Sequence, residues 1–128
     1  MLYISMILHE LMHFIFAKVF KMPIIAVKIG ADWPQIKVGK WRISPIIGNS
    51  YVEVDYDNLI KLSKGKISWF FMSGILMNFY LAIVFGILNI NTGMLAYGII
   101  SVSNVVIAIS NLLPCGRTDM ANLIMYVK

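Results

Sequence analysis

The residues best suited to chemistry lie near the start of the chain, where the sequence from His9 to His13 reads HELMH. On a helix, residues four apart share one face, so the imidazoles of His9 and His13 can ligate one zinc ion. Glu10 points to a different side and stays free to act as a general base on water. The spacing therefore predicts a catalytic zinc site with Glu10 as its base.

This motif lies in an apolar segment. Between Met1 and Phe20, Lys18 is the only formally charged residue outside the motif. Ionisable groups are costly in an apolar segment of membrane length, and by default they indicate a functional site. A secretory signal peptide is the alternative, but the segment lacks a basic start and a small-residue cleavage site. We therefore predict that residues 1–20 form a transmembrane helix.

The composition of the whole chain is typical of a membrane protein. Of its 128 residues, 59% are hydrophobic and 13% are charged, whereas soluble domains average about half apolar and about a quarter charged. The apolar excess lies in residues 1–20, 67–90 and 93–113, and each segment is long enough to cross a bilayer core of about 30 Å. The expected fold is an α-helical membrane protein, a single domain over residues 1–128 with three transmembrane helices.

The charges predict how this domain is oriented. Residues 21–66 are rich in Lys, whereas the turn at residues 91–92 carries no charge. Because basic loops stay in the cytoplasm, we expect a multi-pass protein of the cell membrane with its N-terminus outside. Residues 21–66 and the metal-ligand segment 114–128, with Arg117 and Lys128, are then cytoplasmic. The net charge of +5 is a topology signal rather than a nucleic-acid site, because the charges do not cluster on a helix.

The loop over residues 21–66 carries a strand pattern. Apolar and polar residues alternate in four stretches, which are Ile25 to Ile29, Ile36 to Val38, Trp41 to Ile43 and Val52 to Val54. Period-two alternation of β-branched and aromatic residues predicts half-buried strands. We expect a small cytoplasmic, membrane-associated β-sheet between the first two helices. It either caps the helix ends or offers an edge strand to an extended peptide, and these two roles are compatible.

A catalytic zinc ion usually keeps three protein ligands, so the two histidines need a third partner. Asp119 is the best candidate, because Pro114 and Gly116 break the third helix and let a polar residue turn inward. Cys115 is the rival, since a thiolate also binds zinc, although a lone Cys in an apolar segment is more often a core filler. The acidic residues within 21–66 lie in the aqueous loop and are poor candidates.

These features resemble the site-2 protease family of intramembrane zinc metalloproteases, in the family's order along the chain. The HELMH sequence is similar to the family's first metal motif. Residues 46–52 are similar to its membrane-associated β-loop, which usually ends in Gly-Gly-Tyr-Val. Residues 73–78 are similar to the Ala-Gly-Pro-x-x-Asn signature of the second core helix. The sequence NLLP at residues 111–114, followed by Asp119, matches the Asn-x-x-Pro-x-x-x-x-Asp spacing of the third core helix.

The resemblance implies an activity and a set of residues. The activity is zinc-dependent hydrolysis of peptide bonds in or near transmembrane segments of small membrane proteins or peptide precursors. The implied Zn²⁺ ligands are His9, His13 and Asp119, with Glu10 as the general base and proton shuttle. The residues implied for substrate binding are Asn78, Asn111, Tyr51 and Val52. For the two asparagines, an interhelical hydrogen bond is the alternative, since such bonds commonly hold membrane helices together.

The chain also departs from the family pattern. Met120 stands where a glycine usually follows Asp119, Gly116 and Arg117 replace apolar and proline residues, and Ile75 replaces a proline. These departures keep open a catalytically inactive relative that binds membrane peptides as a regulatory or immunity protein. A metal-handling membrane protein is a further class, but two His and one Cys offer no path of ligands across the bilayer. We expect so small a core to recognise its membrane-embedded substrate directly, or through an accessory membrane protein or a second copy.

Overall fold

A computed structural model describes residues 2–116 and 118–127, which are mostly helical with one small mixed sheet. Arg117 and Lys128, on which the predicted orientation partly depends, lie outside the described residues. The elements in chain order are α1 (Leu2–Val19), β1 (Ile24–Ile29), β2 (Ile36–Val38), β3 (Trp41–Ile43), β4 (Tyr51–Val54), α2 (Tyr56–Leu59), α3 (Lys64–Thr92), α4 (Leu95–Leu112) and α5 (Asp119–Val127).

Helices α1, α3 and α4 pack together, and α3 contacts both of the others. Helix α3 is longer than predicted, since it begins at Lys64 and ends at Thr92. The turn predicted at residues 91–92 therefore lies two residues further along the chain. The chain turns instead at Gly93, whose N–H donates to the Asn89 carbonyl at 2.8 Å and whose φ of 68° suits glycine.

Two helices among the described residues are long and apolar enough to cross a membrane, namely α3 with 29 residues and α4 with 18. The buried residues of α4 are Ile100, Asn104 and Ala108, which form one narrow stripe. Large apolar side chains of α4, among them Ile99, Val102 and Val106, are exposed, as expected for a helix that contacts lipid rather than the core of a soluble protein. Helix α1 is the third predicted span, and its crossing of the membrane stays a prediction.

The four stretches of alternating residues form the four strands of one sheet, in the order β2-β3-β1-β4. The predicted sheet is confirmed. Its central strand β1 runs parallel to β3 and antiparallel to β4. Val27 and Ile29 of β1 join a core that includes Ala17 of α1 and Phe70 and Phe71 of α3. This packing fixes the sheet where α1 ends and α3 begins.

Helical structure is interrupted after α4, as Pro114 and Gly116 predict. Helix α4 ends at Leu112, and Gly116 adopts a φ of 64°. The helix that follows, α5, has no counterpart among the predicted elements. It packs back on α3, where the rings of Phe71 and Tyr126 stack with centroids 6.0 Å apart. Because Asp119 opens α5, this docking brings it towards α1.

Candidate metal centre

Ser5, His9 and His13 lie four residues apart on α1, so they share one face, and all three are buried. The exposed fractions of His9 and His13 are 7% and 4%. Buried polar groups are costly unless they have hydrogen-bond partners. The partners of each imidazole therefore decide what its other nitrogen can do.

The partner of His13 lies on α3. His13 Nδ1 donates to the Phe70 carbonyl at 2.7 Å, and Ser73 Oγ donates to the same carbonyl at 2.7 Å. A carbonyl oxygen can only accept, so the proton of the neutral His13 ring is on Nδ1. The lone pair of His13 Nε2 is then available to a metal ion.

The partner of His9 also lies on α3. Asn78 Nδ2 lies 2.8 Å from His9 Nδ1, and the Asn78 side chain is fully buried. Helix α3 therefore anchors both imidazoles through Nδ1. The two Nε2 atoms turn towards each other and lie 3.2 Å apart.

Asp119 reaches this pair from the far end of the chain. Its Oδ2 lies 3.2 Å from His9 Nε2 and 3.3 Å from His13 Nε2. Burial disfavours the charge of Asp119, but hydrogen bonds and positive charge from His13 and His9, when their Nε2 atoms carry protons, outweigh burial and hold the pKa of the carboxyl below its usual range. The carboxylate is thus in the ionised form that ligates metals.

The geometry of these three atoms fits a zinc site. They form a triangle with sides of 3.2, 3.2 and 3.3 Å. Tetrahedral zinc with ligands at about 2.0–2.1 Å keeps its ligand atoms about 3.3–3.4 Å apart. Asp119 Oδ2 is buried, and its polar contacts within the described residues are the two imidazole nitrogens, so a metal ion shared by the three atoms would satisfy it. Two imidazole nitrogens and one carboxylate oxygen form a common catalytic zinc set, with the fourth position open.

The comparison with protein families gives the class of the chain. Residues 1–94 match the model of peptidase family M50. The chain belongs to this family. The resemblance to the site-2 proteases is thereby confirmed, since family M50 is the site-2 protease family. A search of curated proteins found no match.

Family membership establishes a metalloprotease class and a membrane-embedded setting for the M50 chain. The match ends at residue 94, before the third candidate ligand. Asp119 is therefore a candidate ligand by its geometry: its carboxylate lies with His9 and His13 in a group whose ligand atoms are all within 4.8 Å of one another. The rival Cys115 is exposed and lies outside this group.

A glycine of α3 that was assigned no role from the sequence lies against the candidate metal centre. A Cβ atom on Gly74 would lie 2.5 Å from His9 Nε2 and would also collide with His13 Nε2. Only glycine lets α3 approach the two ligand atoms this closely. The family signature of the second core helix contains this glycine, but the sequence alone assigned it no role.

Glu10 is buried beside the ligands, with an exposed fraction of 5%. Over residues 2–116 and 118–127, no side chain or backbone group forms a hydrogen bond or a salt bridge with its carboxylate. A buried carboxylate without a structural partner is available to move a proton. Its role as the general base stays a prediction.

The other predicted site residues lie further along the fold. Asn111 is half-buried near the end of α4. Tyr51 and Val52 begin the edge strand β4; Tyr51 is exposed, and Val52 packs against the hydrophobic core. The described hydrogen bonds and ring contacts connect none of these three with His9 or His13. Their roles in substrate binding stay predictions.

Replacing the third candidate ligand is expected to weaken metal binding. Asp119→Asn exchanges a charged oxygen donor for a neutral one, so we expect at least a ~10-fold loss of zinc affinity, measured by competition with a chromophoric chelator. Cys115→Ser is the matched control and is expected to bind zinc like the wild type. Equal affinities of Asp119→Asn and the wild type would contradict this ligand, and a loss confined to Cys115→Ser would transfer the role to the thiol.

Proposed function

We propose that this chain is a zinc-dependent intramembrane endopeptidase, which cleaves peptide bonds in or near transmembrane segments of small membrane proteins or peptide precursors. The observation that carries the proposal is the buried triangle of His9 Nε2, His13 Nε2 and Asp119 Oδ2, with Glu10 next to it. Membership of peptidase family M50 supports the reaction class. The outward apolar surfaces of α3 and α4 support the membrane setting.

Each side chain of the site has a defined task in this reaction. Zinc, when bound, supplies a Lewis acid that polarises the scissile carbonyl and makes water more acidic. His9, His13 and Asp119 hold the ion through two nitrogens and one oxygen. Glu10 takes a proton from the attacking water and passes it to the leaving amine, so it acts first as base and then as acid. Burial of these side chains limits the access of bulk water and strengthens their electrostatic interactions.

The substrate must present an extended backbone at this site, because a helix keeps its carbonyls in its own hydrogen bonds. The sheet has two edge strands, β2 and β4, whose unpaired backbone groups suit the addition of a peptide strand. We assign Tyr51 and Val52 of β4, and Asn111 at the end of α4, to contacts with the substrate. Asn78 has a different task, which is developed below.

The proposed orientation places the N-terminus outside the cell and the sheet and α5 in the cytoplasm. Two observations support it. The sheet packs where α1 ends and α3 begins, and α5 docks on α3 near the same end through Phe71. The basic residues of the loop 21–66 then lie on the cytoplasmic side. In this proposal the chain recognises its membrane-embedded substrate within the bilayer, either directly or through an accessory membrane protein or a second copy.

The test is cleavage of synthetic transmembrane peptides by the purified full chain in proteoliposomes. We expect cleavage that stops when 1,10-phenanthroline removes the metal and returns when Zn²⁺ is added back, because the Lewis acid is then lost and restored. Cleavage that persists after verified removal of the metal would contradict the proposal. A chain that binds zinc but cuts no peptide of a broad panel would favour the inactive peptide-binding relative.

A further inference from the structure

Asn78 contacts a ligand ring rather than a surface open to substrate. We infer that Asn78 is a positioning residue that determines which nitrogen of His9 carries the proton. Its side-chain amide rotates by a half-turn when a metal ion binds His9 Nε2. The inference rests on the proposed metal site, whose ligands include His9. It concerns how that site becomes competent to hold its ion.

The orientation of the amide in the structure favours one tautomer of His9. Asn78 Nδ2 lies 2.8 Å from His9 Nδ1. An amide N–H can only donate, so Nδ1 accepts with its lone pair, and the proton of the neutral ring is on Nε2. A ring nitrogen that carries a proton has no lone pair to give to a metal ion. In this arrangement His9 is close to its fellow ligands, but its Nε2 is not ready to ligate.

Metal binding at Nε2 requires the other tautomer. His9 then carries its proton on Nδ1, and this N–H needs an acceptor. Asn78 Oδ1 is buried and has no hydrogen-bond partner within the described part of the chain. A half-turn of the amide exchanges Oδ1 and Nδ2 without changing the shape of the side chain. The flipped amide accepts from His9 Nδ1, and His9 keeps the same number of protons throughout.

His13 has no such alternative. Its Nδ1 faces the Phe70 carbonyl at 2.7 Å, which can only accept, so Nε2 has the lone pair in the neutral ring. The two histidines therefore differ. A backbone carbonyl of α3 holds His13 in the ligating tautomer, whereas His9 meets a side-chain amide that can either donate through Nδ2 or accept through Oδ1. The affinity of the site for its ion then depends on the side chain at position 78.

The experiment measures the His9 tautomer from imidazole ¹⁵N chemical shifts in the full chain. In the wild type we expect the proton on Nε2 in metal-stripped protein and on Nδ1 after zinc is added. Asn78→Asp has the same shape but offers only acceptors, so it should keep the proton on Nδ1 in both conditions. Asn78→Leu removes the acceptor and should lower zinc affinity by ~10–100-fold, whereas Asn78→Asp should bind zinc at least as tightly as the wild type.

Asn104→Leu is the matched control. Asn104 is also fully buried and also has an unpartnered Oδ1, but it donates to Ser5 Oγ at 3.1 Å and to the Ile100 carbonyl rather than to a ligand. This variant should bind zinc like the wild type. A general loss of packing would instead lower the zinc affinity of the Asn78 and Asn104 leucine variants alike, and this result would overturn the inference.

Two other results would overturn the inference and leave the proposed function standing. One is a proton already on His9 Nδ1 in the metal-stripped wild type, and the other is equal zinc affinities of Asn78→Leu and the wild type. A wild type that binds no zinc would contradict the proposed function. In that case the inference is still tested by comparing the His9 tautomer of the wild type with that of Asn78→Asp. A proton on Nε2 in the wild type and on Nδ1 in the variant would support the inference, and the same tautomer in both proteins would refute it.

Discussion

Glu10→Gln is expected to abolish peptide cleavage while the chain keeps its fold and its zinc. Glutamine has nearly the same size as glutamate but cannot take a proton from water at neutral pH. General acid–base catalysis contributes about 10²–10⁴-fold to a reaction rate, so we expect a loss of this order in the single-turnover rate. Zinc should stay bound, because the ligand atoms belong to His9, His13 and Asp119.

The comparison needs three measurements on each variant: cleavage of a transmembrane peptide, zinc per chain and helix content by circular dichroism. Asp57→Asn is the control, since it also exchanges a carboxylate for an amide but lies exposed on α2. It should cleave like the wild type. A Glu10→Gln variant that keeps both zinc and wild-type cleavage would show that another group acts as the base.

Gly74→Ala is expected to eliminate metal binding although it alters none of the proposed ligands. The added methyl group would lie 2.5 Å from His9 Nε2 and would overlap His13 Nε2. A methyl carbon cannot lie this close to either nitrogen, so the imidazole rings or α3 must move. A displacement of about 1 Å is enough to destroy the site, because ligand distances are held to within about 0.2 Å.

Gly65→Ala is the matched control for this change, since Gly65 lies in the same helix and a Cβ atom there meets nothing within 4 Å. Both substitutions replace a helical glycine with alanine, so each should favour the helical state of α3. Zinc binding measured by chelator competition should be normal in Gly65→Ala and lost in Gly74→Ala. Normal zinc binding in Gly74→Ala would contradict the close approach of α3 to the two histidines.

The three candidate ligands could be selected from the sequence because the signals that single them out are local. The spacing of His9 and His13 determines that they share a helical face, and Pro114 and Gly116 mark the break that precedes Asp119. The four strands were also predictable, since alternation with a period of two is a property of a short stretch of residues. Each of these features can be recognised without knowing how distant parts of the chain pack.

The features that the sequence did not predict depend on packing between distant helices. Helix α5 has only nine residues, too few for an isolated helix, and it is stabilised by docking on α3 through Phe71 and Tyr126. The tasks of Gly74 and Asn78 follow from the side of α3 that meets α1. For Asn78 the sequence left open a substrate contact or an interhelical hydrogen bond; the structure has the hydrogen bond, and its partner is the candidate ligand His9.

The central claim is that His9, His13 and Asp119 hold one zinc ion, and the most direct test is the zinc content of the purified full chain in detergent. We expect about one zinc per chain in the wild type, none in His13→Ala and a reduced amount in Asp119→Asn, with the same helix content in all three. A wild type that stays free of zinc after loading, or a His13→Ala variant that keeps it, would contradict the account.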